Sequence, residues 1–512
     1  MSGTVLASAR TSEQKLGLIG WIEGRPQTAF GLFLSLHFVV WTALPALLYA
    51  NLPMDVIEAL IYGREWQLGY DKLPPLPWWL VEIAHRAFGV DAAYYGLAQA
   101  AVIAAFAAVW ATARPLVGTT GALVAVLIID GMHYFQSTAV QFNHNVVELP
   151  FWALAGYAFH AALKRGRIAH WLLLGLAIGG ALWAKYFIVM LAIPYALFLL
   201  FDRDARRALA TPGPWIALAF ALAVIAPHLV WLFQNDFSPL TYAAERAAPP
   251  KSWFGHISNP AIFVGGQVFF LLPSLLIAAA MLWPRSAARQ EVSADLFDRR
   301  IVTLIAFGPG VIMMAFTALS GRGTVAMWGY PLWLYLGLWI VLTARVLLDR
   351  ARLIRVVASW GAVFAILVVA FITDNTVLPL VDHHRHAALY PGQQIAAELT
   401  LRFRTATGKP LRYVIASMKD GGNIAHYSPD RPRVLIDGDP RRAPWIDLND
   451  LRAKGAVVVW TGEEPPYVFN PEQIPVQFAA IAADAEVGAP LTLPMRWGPG
   501  EIHVGWAILK PR

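Results

Sequence analysis

Eleven apolar runs, repeated from one end of the chain to beyond residue 370, limit this sequence to a membrane before any other feature is considered. They lie near 29–49, 92–112, 119–135, 146–163, 168–184, 186–201, 213–234, 260–283, 301–319, 327–345 and 354–374. A helix crosses the hydrocarbon core with about 20 apolar residues, and only helices or closed barrels satisfy their own backbone in lipid. The predicted class is therefore a polytopic α-helical membrane protein of about 11 spans. Composition agrees, because 57% of residues are hydrophobic and 14% charged, whereas soluble domains carry about 25% charged residues. Residues 1–28 are polar and mixed and show no cleavable signal pattern. They read as a cytoplasmic N-terminal segment. No cysteine is present, which excludes disulfides and thiolate metal sites.

The net charge of +7 is informative by position and not as a nucleic-acid footprint. With the N-terminus inside, the inner loops hold Arg114, Lys164, Arg165 and Arg167, then Arg203, Arg206 and Arg207. Later inner loops add Arg285, Arg289, Arg299 and Arg300, then Arg345, Arg350, Arg352 and Arg355. The outer loops are longer yet poorer, with Arg64, Lys72, Arg86, Lys185, Arg246, Lys251 and Arg322. This is the positive-inside pattern. It predicts a multi-pass membrane protein with a cytoplasmic N-terminus, whose first loop, 51–91, and whose tail, 376–512, lie on the far side of the membrane.

The tail changes character. Short β-branched runs (413–416, 434–436, 457–460 and 502–506) alternate with polar stretches, with Gly421-Gly422 as a loop position and 448–453 as a helix. The pattern predicts a small α/β domain. It has no GxGxxG motif or P-loop, so it is read first as a lid or structural cap on the membrane domain, 29–375.

The first loop is far longer than the roughly 12–15 residues beyond which an unstructured connection is usually functional. It contains Asp55 and Glu58, three residues apart and so on one face of a short helix, then Tyr62, Trp66, Tyr70 and Lys72. The acids read either as a catalytic pair or as a solvated first helical turn, which acids also favour. Glu148 follows Asn143, His144 and Asn145 at the outer mouth of the fourth run, and a carboxylate entering an apolar helix is a functional candidate by default. His144 alone is more often a hydrogen-bonded side chain than a metal ligand. Lys185 lies between two apolar runs, either as an interfacial anchor or as a cation for an anionic ligand. Arg322 carries the same two readings, with flanking glycines that allow close backbone approach. The loop 235–260 adds Glu245, Arg246, Lys251 and His256. Acids and cations on one face suit a transferase with a lipid-phosphate donor, in which cations hold the phosphate and a carboxylate deprotonates an acceptor hydroxyl.

The ordered set Asp55-x-x-Glu58, Trp66-x-x-Gly-Tyr70, Lys72-x-Pro-Pro-Leu76, Glu148-Leu-Pro and Lys185-Tyr186 resembles the bacterial GT-C glycosyltransferases of the protein O-mannosyltransferase and lipid A aminoarabinose transferase type. Gly255-His-x-x-Asn-Pro260 with Gly265-Gly-Gln267 resembles the bacterial members too. Here Leu73 separates Lys72 from the prolines, whereas the lipid A enzymes have lysine directly before them. The resemblance implies inverting transfer of a sugar from a polyprenyl-phosphate carrier to an envelope glycan, lipid or protein on the periplasmic face.

It implies Asp55 as base and Glu148 as a second acid, and Glu58 remains a catalytic candidate through its spacing from Asp55. Lys72, Lys185, Arg246 and Arg322 become candidates for the donor phosphate. Tyr62, Trp66, Tyr70, Asn143, His144, Tyr186 and His256 become candidates for the substrate pocket. No particular cofactor is implied, and a divalent metal ion is compatible with the acids. The alternative is a multi-span transporter or flippase of a lipid-linked sugar, for which mid-helix charges and inverted repeats would be expected. Here the charges gather at outer helix ends.

Overall fold

The computed structural model describes residues 17–247, 249–250, 252–284, 289–381, 387–462, 469–495 and 500–512. Lys251, Arg285 and residues 1–16 of the N-terminal segment lie outside the described residues. Seven helices among them are long and apolar enough to cross a membrane: Pro26–Leu48, Ala92–Asp130, His144–Arg165, Gly213–Gln234, Gly255–Leu282, Leu296–Ser320 and the stretch Arg350–Val381.

The other four of the eleven predicted runs are helical in shorter or broken form. The runs 92–112 and 119–135 form two successive helices within Ala92–Asp130, separated by a break at Gly118 (φ 74°, ψ 171°). That backbone position is open to glycine and strained for other residues. The runs 168–184 and 186–201 form shorter apolar helices. The run 327–345 is helical mainly over Leu336–Ala344, after a 3-10 turn at Ala326–Gly329.

The spans are held together by apolar packing and by one fully buried polar cluster. His37 Nδ1 lies 2.9 Å from Asp130 Oδ1, with neither side chain exposed. His37 Nε2 meets Gln99 Oε1 at 3.1 Å, and Trp360 Nε1 donates to Asp130 Oδ2 at 2.7 Å. Three spans thus share polar partners that lipid would not supply.

Between the first two spans, the loop folds into two helices, Met54–Gly63 and Leu76–Phe88. Prolines start both, where a missing N–H costs nothing. The tail forms a sheet of order β2-β1-β3-β6-β4, with β5 paired to β6. Its strands are β1 (Tyr413–Ala416), β2 (Arg433–Ile436), β3 (Ala456–Thr461), β4 (Glu486–Val487), β5 (Leu491–Pro494) and β6 (Glu501–Leu509). β1 runs parallel to β2 and β3, and β6 is antiparallel to β3. Gly421-Gly422, expected in a loop, sits inside the helix Met418–Tyr427. Ser417 caps that helix through the Asp420 amide at 3.1 Å, which offsets part of the low helix propensity of paired glycines.

Candidate active site

One cavity of about 330 Å³ lies where the first loop meets the starts of several spans. Its wall includes Asp55, Glu58, Lys72, Trp78, Asn143, His144, Asn145, Lys185, Tyr186, Tyr242, Arg246 and Trp328. The helix Met54–Gly63 presents Asp55 and Glu58 to it together. Five segments distant in sequence therefore bring acids, cations and aromatic faces to one concave site, the arrangement a charged amphipathic ligand requires.

Asp55 is held by Asn143, whose Nδ2 donates to Oδ2 at 2.9 Å. Burial pushes the Asp55 carboxyl above its ordinary value, and the Asn143 hydrogen bond and the charges of Lys72 and Arg246 offset part of that shift. The result is a stronger base than an exposed aspartate. Glu58 Oε2 accepts from Lys72 Nζ at 2.6 Å. Burial opposes the Lys72 ammonium, but the Glu58 carboxylate beside it outweighs burial, so Lys72 is held charged.

Asn143 also caps the span helix His144–Arg165, its Oδ1 accepting from the Asn145 and Val146 amides. His144 Nε2 meets the Pro74 carbonyl at 3.0 Å. A carbonyl only accepts, so Nε2 carries the proton, and His144 ties the first loop to the span. Glu148 is fully buried behind the wall. Its Oε1 lies 3.5 Å from Lys185 Nζ and its Oε2 accepts from Trp152 Nε1 at 3.1 Å. Lys185 in turn donates to Asn145 Oδ1 and has the rings of Phe187 and Trp328 at 5.0 and 5.8 Å.

The remaining sequence candidates separate. Arg322 donates through Nη1 to the Ala244 and Ala247 carbonyls at 2.6 and 2.7 Å. It secures the end of the helix Ser238–Arg246, which places Tyr242 and Arg246 on the cavity wall. His256 Nδ1 meets the Ala318 carbonyl at 2.8 Å, away from the wall. Tyr62 and Tyr70 are buried beneath the loop. Tyr62 stacks on Trp78 with centroids 4.3 Å apart, and Tyr70 donates to the Tyr62 carbonyl at 2.5 Å. Trp66 is partly exposed and stacks on Trp79.

Sequence reasoning missed His228 and Tyr242. His228 Nδ1 meets the Leu68 carbonyl at 2.6 Å, so its Nε2 is free to accept the Tyr186 hydroxyl, 2.7 Å away. A lone histidine inside the apolar run 213–234 was the available signal. Tyr242 lies 5.6 Å from Lys72 Nζ, and nothing in its loop sequence marks it. Among the described residues no three of His, Asp or Glu converge in a set able to hold a metal ion.

The family model described as dolichyl-phosphate-mannose-protein mannosyltransferase matches residues 72–231. The chain is 24% identical to the lipopolysaccharide core galacturonosyltransferase RgtA of Rhizobium johnstonii, over 94% of this chain and 97% of that one. It is 26% identical to an undecaprenyl phosphate-alpha-4-amino-4-deoxy-L-arabinose arabinosyl transferase of Pseudomonas aeruginosa, over 60% of this chain and 56% of that one. The fold is that of ArnT from Cupriavidus metallidurans, solved bound to undecaprenyl phosphate. The TM-score is 0.63 at 13% identity, covering 96% of this chain and 98% of that one.

Proposed function

We propose that this chain, a membrane glycosyltransferase of the GT-C type, moves a sugar from a polyprenyl-phosphate carrier to a hydroxyl of lipid A or the lipopolysaccharide core. The observation that carries the reading is the single cavity holding Asp55, Lys72, Lys185 and Arg246 among aromatic walls. The end-to-end likeness to a lipopolysaccharide core galacturonosyltransferase supports the acceptor class. The carrier is supported by the arabinosyl transferase relative and by the fold neighbour's bound lipid.

The reaction is one in-line displacement. The acceptor oxygen attacks the anomeric carbon while Asp55 takes its proton. The bond from that carbon to the phosphate oxygen breaks, and its electron pair leaves with polyprenyl phosphate, inverting the centre. Lys72 and Arg246 face the departing phosphate, whose low basicity makes a general acid unnecessary. Glu148 acts through Lys185 by fixing its ammonium, and Arg322 acts through the helix Ser238–Arg246. Purified protein in detergent is expected to release free polyprenyl phosphate in step with glycosylated acceptor, given the lipid-linked sugar and no ion gradient. Transfer from a nucleotide sugar alone, or a need for sealed vesicles with a gradient, refutes this reading.

The site is assigned to the periplasmic face of the inner membrane, with the N-terminus cytoplasmic and the tail 376–512 outside. The Lys/Arg asymmetry of the loops supports that assignment. A reporter active only outside the cytoplasm is expected to work when fused after Pro440 and to fail after Arg206. The opposite pattern reverses the orientation.

A further inference from the structure

The helix that carries the candidate base has two working faces. Asp55, Glu58 and Ala59 line the cavity, while Ile57 and Ile61 face the C-terminal domain. There Gly422, in the helix after β1, approaches so closely that a Cβ would stand 2.4 Å from Ile57 Cγ2 and 2.7 Å from Ile61 Cδ1. Only glycine permits that contact.

Polar links surround it. Arg64 Nη1 donates to the Arg431 and Pro432 carbonyls at 2.9 and 3.0 Å. Arg433 grips the Glu65 carboxylate with two hydrogen bonds, one from Nε to Oε1 at 3.0 Å and a second from Nη2 to Oε2. Arg442 Nε lies 3.5 Å from Asp71 Oδ2, and Asp71 Oδ1 accepts from the Tyr62 hydroxyl at 2.8 Å. Asp71 adjoins Lys72 in the chain, and Tyr62 lies one helical turn beyond Glu58. The ring of Trp445 meets Tyr62 and Tyr70 edge-on, with centroids 5.8 and 5.7 Å apart. The links therefore converge on the residues next to the Lys72–Glu58 pair, where a passive cap would need only area.

We propose that the C-terminal domain is a working part of the active site, and that Glu65–Arg433 and Asp71–Arg442 are positioning contacts that set Asp55 and Lys72 in the cavity. This rests on the reading of the cavity as the transfer site. Bidentate guanidinium–carboxylate pairing fixes direction as well as distance, and small misplacements of reacting groups are costly even when they originate far from the chemistry.

The test uses the full chain in detergent with a polyprenyl-phosphate sugar and acceptor, reading kcat, KM and the melting temperature. Glu65→Arg and Arg433→Glu each place like charges together and are expected to lower kcat about 10–100-fold, with acceptor KM and melting temperature held. The double exchange Glu65→Arg/Arg433→Glu restores the pair with its polarity reversed and is expected to recover most of kcat. Wild-type kcat in both single variants overturns the proposal. So does a double exchange that stays as slow as the singles while melting normally. If the reversals melt early, Arg442→Gln carries the test, since it removes the cation facing Asp71 without opposing like charges. A lower kcat at unchanged melting temperature supports the proposal, and an unchanged kcat overturns it. Wild-type protein inactive toward the lipid donor would refute the transfer site itself and not the coupling.

Discussion

Asp55→Asn is expected to lower turnover roughly 10²–10⁴-fold, the usual contribution of a general base, while donor binding and folding survive. The change preserves shape, but the amide has no basic lone pair with which to take the acceptor proton. The pH profile supplies an independent reading. The active form is the carboxylate, and burial favours the neutral acid, so the folded-state pKa stands above the ordinary aspartate value. Rate is therefore lost on acidification at a higher pH than an exposed aspartate would give, and is fully present only above that raised pKa. The acidic limb of kcat/KM should disappear in Asp55→Asn. Near-normal turnover in that variant would leave Asp55 as a buried hydrogen-bond partner of Asn143 and not the base.

The second large effect concerns stability. Glu148 is fully buried and Lys185 nearly so, with 0% and 12% of their side chains exposed. Removing one partner leaves the other as an unpaired charge in a low-dielectric setting, which costs about 3–5 kcal/mol for buried pairs. Glu148→Gln is expected to lower the melting temperature of the detergent-solubilised protein sharply and to weaken donor use, because the Lys185 ammonium loses its fixed partner. Glu148→Gln/Lys185→Met removes both charges and is expected to recover much of the melting temperature without recovering donor use. A single Glu148→Gln variant as stable as wild type would show that Asn145 and the Phe187 and Trp328 rings suffice to hold Lys185.

Apolar period and loop charge made the membrane class legible from sequence, because lipid imposes both on any spanning chain. The β-branched runs at 413–416, 434–436 and 457–460 likewise became β1, β2 and β3, since buried parallel strands read as continuous apolar segments. Apolar length alone did not show how the shorter runs are built: 119–135 starts a new helix after the break at Gly118, and 327–345 begins as turns. Within the site, acids and lysines stood out because charges beside apolar runs are rare. Their division of labour did not, since only the fold places Glu148 behind Lys185 and commits Arg322 to two backbone carbonyls. Tyr242 is an ordinary loop residue in sequence and His228 is marked only as a lone histidine in an apolar run; the importance of both arises from neighbours far away in the chain.

Asn143 uses both ends of one small amide. Its nitrogen holds Asp55 and its oxygen receives the first amides of a span. The amide therefore behaves as a keyed connector, legible in only one orientation. Turned around, it would set oxygen against carboxylate and hydrogens against backbone hydrogens. Aspartate at this position would keep the helix cap and repel the base. Serine or threonine would cap as well but lack the reach to serve both. The constraint on residue 143 thus comes from two unrelated demands meeting in a single side chain, and relaxing either one alone leaves the other intact.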